Sequence, residues 1–328
     1  MMVASKQTTE DLDHQLYLSL ICPTFNRACM LRECIAPLME LPNGIAEVVV
    51  VDDCSTDGSE AVCRELSAEY GSTRLRYVRL DRNSGAPAAR NLGITEARGD
   101  FFMFVDSDDV LEPTGIAEML SVLVKRDELD FVYGRVVVTD HQLRPILHQH
   151  SVGSTYRQIP LEIAGYHWHT MGPIYRRRLI ERVGPWNTEL TGSQDWEYQA
   201  RVKMYGGPGE FVDVVVGFWR QHDGFRVGTS VFRPDYVKSV MHASRSILYH
   251  ARHVGFCDQA LEVRLAKRLL IHALEWGANG YRSERYYCLR QALVSISSPG
   301  LFRLLLKIFS MAPPCFDKII LFVLLRRP

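Results

Sequence analysis

Three carboxylates, Asp106, Asp108 and Asp109, lie within four positions, directly behind the apolar run Phe101 to Val105. The run is short, rich in Phe and Val, and preceded by Gly99, which is the pattern of a strand buried on both faces. An unpaired charge inside such a strand is very costly, so the carboxylates belong where the strand leaves the sheet. In open α/β sheets that edge is where ligands bind. Asp106 and Asp108 would repel each other there unless something positive stood between them. A divalent cation carrying a diphosphate fits, because magnesium-like ions are held by one or two protein carboxylates plus substrate phosphates. Taken alone, Asp-Ser-Asp-Asp is read more simply as a turn, with Pro113 opening a following helix. The surroundings decide. Asp52 and Asp53 follow a second apolar run, Glu47 to Val51, and Asp195 stands before Trp196, Ala200 and Met204, which recur at helical spacing.

The elements that position these groups alternate. Leu16 to Cys22 reads as a first strand, with Pro23 expected to stop its ladder, and a helix is predicted over about Ala28 to Met39. After the second strand a helix runs to about Tyr70, Leu75 to Leu80 is a third strand, and Ser84 to Pro87 opens a helix that Gly99 should end as a C′ residue. Strands alternating with helices of this length indicate βαβ units and a mostly parallel sheet. Polar residues then follow the first, second and fourth strands at one sheet edge. There is no G-x-G-x-x-G after the first strand and no G-x-x-x-x-G-K-[ST], which disfavours a dinucleotide dehydrogenase or a P-loop enzyme.

Residues from about Leu16 to Ser230 resemble the family 2 glycosyltransferases. The matching pieces are Cys22 to Arg27, Val50 to Ser59, Arg82-Asn83 with Gly85, Ala89-Arg90-Asn91 with Gly93, and Phe104 to Asp109, in that order and spacing. The resemblance implies the GT-A fold, a Rossmann-like, mostly parallel α/β sheet, and inverting transfer from a nucleotide-sugar that is most often a UDP-sugar. It also implies roles. Pro23 and Thr24 would line the base, and Asp53 would accept a hydrogen bond from it. Asn83 and Gly85 would lie near the nucleotide, joined by Asn26, Arg27 and Arg90. Asp106 would contact the ribose, and Asp108 would hold manganese or magnesium on the diphosphate. Read from the residues alone, Asp52, Asp53 and Ser55 could instead cap the next helix, and Arg90 could pair with a surface carboxylate.

Phe131 to Thr139 is a further strand, and 140–160, with three His and two Pro, reads as a loop. Tyr166-His167-Trp168-His169 follows. Two His two apart could bind a metal from a strand, but no third ligand is visible nearby, and a partly buried aromatic cluster is the simpler reading. Gly172 to Trp186 again resembles the family, with an apolar strand, a short helix and Gly-x-aromatic. Where the family places Glu-Asp, this chain has Gln194-Asp195, so the resemblance makes Asp195 the catalytic base while its neighbour departs from the pattern. Acidic residues in a first helical turn are also favoured by the helix dipole alone. Phe211 to Trp219 is a strand leading to Arg220-Gln221-His222, similar to the loop that closes the family's site. His222 is therefore a candidate for metal or diphosphate, though a lone loop His is more often just solvated.

Bulk properties narrow the partners. Lys plus Arg and Asp plus Glu are 38 each, so nothing argues for nucleic acid. The eight cysteines form no C-x-x-C pair and suit a reducing compartment. Residues 1–14 are a polar lead without an apolar signal core, 15–232 the GT-A domain, and 233–328 a helical C-terminal extension with helices near 235–254, 258–276, 281–295, 299–311 and 315–326. In 301–328, apolar runs beside Arg303, Lys307, Arg326 and Arg327 suit either helices in a membrane surface or packing on the catalytic domain or a partner subunit. The expectation is a cytoplasmic glycosyltransferase of hexosyl or N-acetylhexosaminyl type, peripheral on the inner membrane face. A saccharide or lipid-linked saccharide would be the acceptor, bacterial surface polysaccharide the setting, and a homo-oligomer one available assembly. The alternative is a non-catalytic nucleotide-sugar-binding or scaffolding subunit. A sugar nucleotidyltransferase would need a Gly-rich basic loop after the first strand, which is missing.

Overall fold

Strands β1 (Leu18–Thr24) and β2 (Ala46–Asp52) are buried along their whole length, and the reason is visible in their alternation. Leu18, Leu20, Cys22, Val48 and Val50 face one cluster, with Leu31 and Cys34 of helix α1 (Ala28–Ile35), Cys63 and Leu66 of α2 (Ser59–Tyr70), and Ile116 and Met119 of α4 (Pro113–Lys125). Val49 and Val51 face the other way, onto Ala89 of α3 (Ala86–Glu96). Helices on both faces turn the usual apolar–polar alternation into an unbroken apolar run. The computed structural model that shows this describes residues 17–42, 45–150, 163, 165, 168–221 and 234–297, with 303, 306, 307, 310 and 311.

The sheet runs β3 (Leu75–Arg79), β2, β1, β4 (Phe101–Phe104), β8 (Pro173–Arg176), β6 (Phe131–Thr139), β9 (Gly209–Arg220), β5 (Val110–Leu111), and β7 (Pro145–His150) pairs β6 off this path. It is parallel from β3 to β4 and again between β6 and β9. Antiparallel pairings bring in β8, β7 and β5. Helices α5 (Arg177–Val183) and α6 (Gln194–Tyr205) cover the second half through Leu179, Ile180, Tyr198 and Val202.

Local corrections to the sequence reading have simple causes. Pro23 does not stop the ladder: it pairs with Val51, and Thr24 pairs with Asp52. The Ile21 carbonyl accepts from Val105 on the β4 side and the Thr24 carbonyl from Asp53 on the β2 side. Alternation therefore turns the missing Pro23 N–H toward β4, beyond its last paired residue Phe104. Gly99 is not a C′ residue, because α3 already ends at Glu96 with Ala97 as its C-cap. A Cβ on Gly99 would stand 2.5 Å from the Tyr17 carbonyl oxygen and 2.7 Å from the Ser19 nitrogen, so the backbone itself needs the space. The helix expected over 28–39 gives way to a 3-10 turn at Ala36–Glu40, where Pro37 follows the end of α1. Within the segment expected as a loop, β7 pairs with β6. Pro145 is its first residue, the place in an edge strand where the lost N–H matters least.

Behind the sheet come α7 (Pro234–His253), α8 (Gln259–Ala278) and α9 (Arg282–Ser295). Val240, Leu269, Ala273, Leu289 and Ala292 form their shared core, and Leu306 is buried in it. A second cluster joins them to the sheet domain: Trp196, Ala200 and Met204 of α6 pack on Ala243, Ile247, Leu261 and Leu265. Among the described residues no helix is long and apolar enough to cross a membrane. Residues 1–14, 222–233 and most of 301–328 lie outside the described residues, His222 among them.

Candidate active site

Parallel strands β2, β1 and β4 deliver their carboxyl ends side by side, and the chain spends polar residues at each end. At the end of β2 the two adjacent aspartates part company. Asp52 is fully buried and structural: it accepts from the Ser55 amide (2.8 Å), the Tyr77 hydroxyl (2.6 Å) and Arg79 Nη1 (3.0 Å). Asp53 accepts from the amides of Ser84 (2.6 Å) and Gly85 (2.8 Å). Burial pushes its carboxyl up, the two amides oppose this, and the net direction is upward, with the Asp52 charge adding to it. Asp53 is thus clipped to the Ser84–Gly85 backbone, next to Asn83 in the chain. The helix-capping reading is corrected: α2 begins after Gly58, and it is Asp57 that takes the Ser59 amide at 2.9 Å.

At the end of β1, Asn26 sits at φ +53°, held by its amide to Ser55 Oγ (2.9 Å) and by its side-chain oxygen, which accepts from the Thr56 amide (2.8 Å). That strained turn aims Arg27 across the site, where Nη2 stands 3.4 Å from Asp108 Oδ2. Phe25 beside it is 42% exposed, a large apolar ring left open at the mouth of the site.

Arg90 links the two halves. Its Nη2 donates to Asp106 Oδ1 at 2.7 Å and its Nη1 to Gln194 Oε1 at 3.1 Å, while the guanidinium lies 4.5 Å from the ring centre of Trp186. It is 5% exposed, so the surface-pair reading is corrected: the partner is the candidate ribose-binding aspartate, inside the site. Asn91 makes this platform, accepting from the Trp186 amide (2.8 Å) and donating to the Trp186 carbonyl (2.9 Å). Trp186 in turn stacks on Tyr198 of α6, with ring centres 4.0 Å apart and planes 2° from parallel. The sequence marked Asn91 only as part of a motif, and gave Trp186 no role.

Asp195 opens α6, one residue after Gln194. Ser193 before it takes a left-handed conformation, φ +55°. The loop is fixed from behind by α7: Ser239 Oγ donates to the Gly192 carbonyl (2.6 Å) and accepts from the Gly192 amide (2.9 Å). Arg268 of α8 lies over the Trp196 ring at 4.0 Å.

At the end of β4, Asp109 is buried and accepts the Arg220 amide (2.9 Å). Burial, then the charges of Asp108 and Asp106, push its carboxyl well above the usual range, against the pull of that one amide. His169 is the residue the sequence weighed and set aside. Trp168 does join the aromatic core, tilted against Phe131 and Tyr133. His169 stands elsewhere, against Trp219 (4.9 Å), and feels Asp106, Asp195, Asp108 and Arg90. Burial pulls its imidazole pKa down despite the three carboxylates. Asp106, Asp109 and His169 offer ligand atoms all within 4.8 Å of one another. Oxygen and imidazole donors suit manganese, and the His169 Nδ1 is buried with no hydrogen-bond partner among the described residues, so the group fits a divalent cation.

Comparison with known proteins agrees with this geometry. The family model described as glycosyl transferase family 2 matches residues 19–184. EpsH of Bacillus subtilis strain 168 is 27% identical over 219 residues, 62% of this chain and 61% of its own. The chain thus spans less than two thirds of that curated relative. The crystal structure of S. aureus TarS 1–349 in complex with UDP-GlcNAc superposes with a TM-score of 0.67 at 19% identity, over 86% of this chain and 82% of TarS. The mannosyltransferase PcManGT of Pyrobaculum calidifontis, in complex with GDP-Man and Mn2+, gives 0.52 at 17% identity, over 94% and 84%.

Proposed function

Because the chain belongs to glycosyl transferase family 2 and has its GT-A fold, we propose that it moves one sugar, with inversion, from a UDP-sugar to a hydroxyl of a saccharide or lipid-linked saccharide. Bacterial surface polysaccharide assembly, at the cytoplasmic face of the membrane, is the setting that suits such an acceptor. The observation that carries the reading is the Arg90 fork. It ties Asp106, behind the donor strand, to Gln194, next to Asp195, the carboxylate this reading makes the base.

The roles follow from position. Pro23, Thr24 and Asp53, with the Asn83–Gly85 loop clipped to it, form the wall for the base. This reading gives the ribose to Asp106 and positive charge toward the diphosphate to Arg27 and Arg90. Asp108, which pairs with Arg27, is the metal ligand that the family resemblance implies, and His222 lies outside the described residues. A bound divalent cation supplies neutralisation of the charge that grows on the leaving diphosphate. The Asp195 carboxylate takes the proton of the acceptor hydroxyl while that oxygen attacks the anomeric carbon. The bond to the diphosphate breaks on the opposite face, so no covalent enzyme intermediate is needed. Gln194, the feature that favours a non-catalytic subunit, keeps a defined task here: its amide oxygen completes the Arg90 fork, which needs no carboxylate.

Donor hydrolysis by wild type and Asp195→Asn tests the reading, beside thermal stabilisation by UDP. UDP at about 100 times its dissociation constant adds roughly 2.7 kcal/mol. The expected result is stabilisation of both proteins and turnover by the wild type alone. No stabilisation by any nucleotide, or equal turnover by Asp195→Asn, refutes it.

A further inference from the structure

The register that joins β4 to β8 sets up a meeting that neither segment shows by itself. Phe101 pairs with Arg176 and Phe102 with Tyr175, antiparallel. Continued upward, that register runs the segment behind β4 past the segment ahead of β8, and so carries His169 to the carboxylates. Its imidazole stands with Asp106 and Asp109, all three ligand atoms within 4.8 Å. In an octahedral shell with bonds near 2.1 Å, donor atoms lie about 3 Å (cis) to about 4.2 Å (trans) apart, so small movements close the set.

The donor atoms are prepared for this. Asp106 accepts from Arg90 with Oδ1 and Asp109 accepts from the Arg220 amide with Oδ1, and each keeps its Oδ2 without a hydrogen-bond partner among the described residues. The His169 ring is fixed by Trp219, and its buried Nδ1 has no partner there, a costly state for a polar atom unless something occupies it. Three carboxylates crowded at one strand end need a positive charge, and Asp109, the most buried of them, has no cationic side chain bonded to it.

We propose that His169 is a direct ligand of the divalent cation, completing with Asp106 and Asp109 a site that joins the nucleotide half of the sheet to the acceptor half. The proposal rests on the glycosyltransferase reading for the cation's purpose, and on geometry alone for the ligand. Asp108, from the same loop, is paired with Arg27 and is not one of the three. The cation is then held by a strand end and by the segment that borders the acceptor space, so its binding and the placement of Asp195 share a wall.

The test is Mn2+ titration without donor, followed by the loss of the free-ion electron paramagnetic resonance signal, on wild type, His169→Ala, His169→Gln and His169→Cys. A cooperative thermal unfolding transition is measured on each variant and shows that it is folded, with UDP stabilisation recorded beside it. His169→Ala and His169→Gln should weaken Mn2+ at least roughly tenfold, as loss of even an outer-shell partner does. His169→Cys should shift preference toward Cd2+, because a thiolate selects softer metals. A metal-independent structural role would not produce that exchange. Unchanged Mn2+ affinity in folded His169→Ala and His169→Gln overturns the proposal. So does a wild type that binds UDP but no Mn2+, an outcome that leaves the proposed function in place. Loss of UDP binding and hydrolysis in wild type refutes the function and leaves the Mn2+ comparison to decide the ligand.

Discussion

Arg90→Lys keeps the charge beside Asp106 and removes the fork, so it separates attraction from geometry. Arginine reaches Asp106 at 2.7 Å and Gln194 at 3.1 Å at once, with its plane over Trp186. An ammonium can follow only one of these, and in the field of three carboxylates it follows Asp106. What is lost is one charge-assisted hydrogen bond, about 1.5–3 kcal/mol, and the better part of a desolvated cation–π contact, about 1 kcal/mol. Arg90 is 5% exposed, so solvent does little to soften either loss. Urea unfolding should therefore show a stability drop of about 2.5–4 kcal/mol. The larger effect is on turnover. Gln194 is free to move relative to Asp106, and with it Asp195. A misplacement of about 1 Å can cost up to about a hundredfold, so a roughly tenfold fall in kcat is expected for a softer loosening. UDP stabilisation should change little. Refutation comes from either of two results: turnover unchanged despite the stability loss, or UDP binding lost in step with kcat, which would make the donor contact of Arg90, and not its link to α6, the part that lysine fails to replace.

Two other perturbations test neighbouring parts. Ser239→Ala leaves the buried amide and carbonyl of Gly192 unpaired, at about 1–3 kcal/mol each before relaxation. Differential scanning fluorimetry should show a lower Tm, and hydrolysis a lower kcat, with the added stabilisation by UDP preserved. At Asp130, burial pushes the carboxyl pKa up, but the Gly207 amide, Arg178 and Arg182 overcome it and hold the pKa below the usual value. A folded pKa below the unfolded one gives stability that is present above the unfolded value, about 3.9, and is lost as pH falls through the folded one. Urea midpoints of Asp130→Asn should accordingly be lower than wild type at pH 7 and converge with it below about pH 4. Parallel curves would show that the Asp130 charge is not what the three donors hold.

What the sequence could say depended on how local the cause was. Phe101 to Phe104 and Phe131 to Thr139 were readable because burial on both faces writes a continuous apolar run. Asp195 in a first helical turn was readable from the spacing of Trp196, Ala200 and Met204. Gly99 misled because a glycine after a helix has two explanations, and only the Tyr17 carbonyl beside it distinguishes them. β7 was hidden because an edge strand needs no apolar pattern. Arg90 and His169 were ambiguous for a deeper reason. Each is defined by partners roughly sixteen to a hundred residues away, and a charge or an imidazole carries no mark in the chain of what it will face. The same holds for Asn91, whose two bonds to Trp186 are separated by 95 residues.

The clamp on Asp109 has a consequence in time. The amide that holds this carboxylate belongs to Arg220, 111 residues further along the chain, on a strand that also pairs Phe218 and Gly217 with Val110 and Leu111. While the chain is being synthesised, β1 to β4 can pair as soon as they emerge, since their partners are already present. The acidic loop cannot settle until β9 has been made and threaded between β6 and β5. Contacts over such distances form late and slowly. Secondary structure should thus precede the ability to bind nucleotide, and a stop between Asp109 and Arg220 leaves a chain with its first four sheet strands made and an unclamped cluster of negative charge.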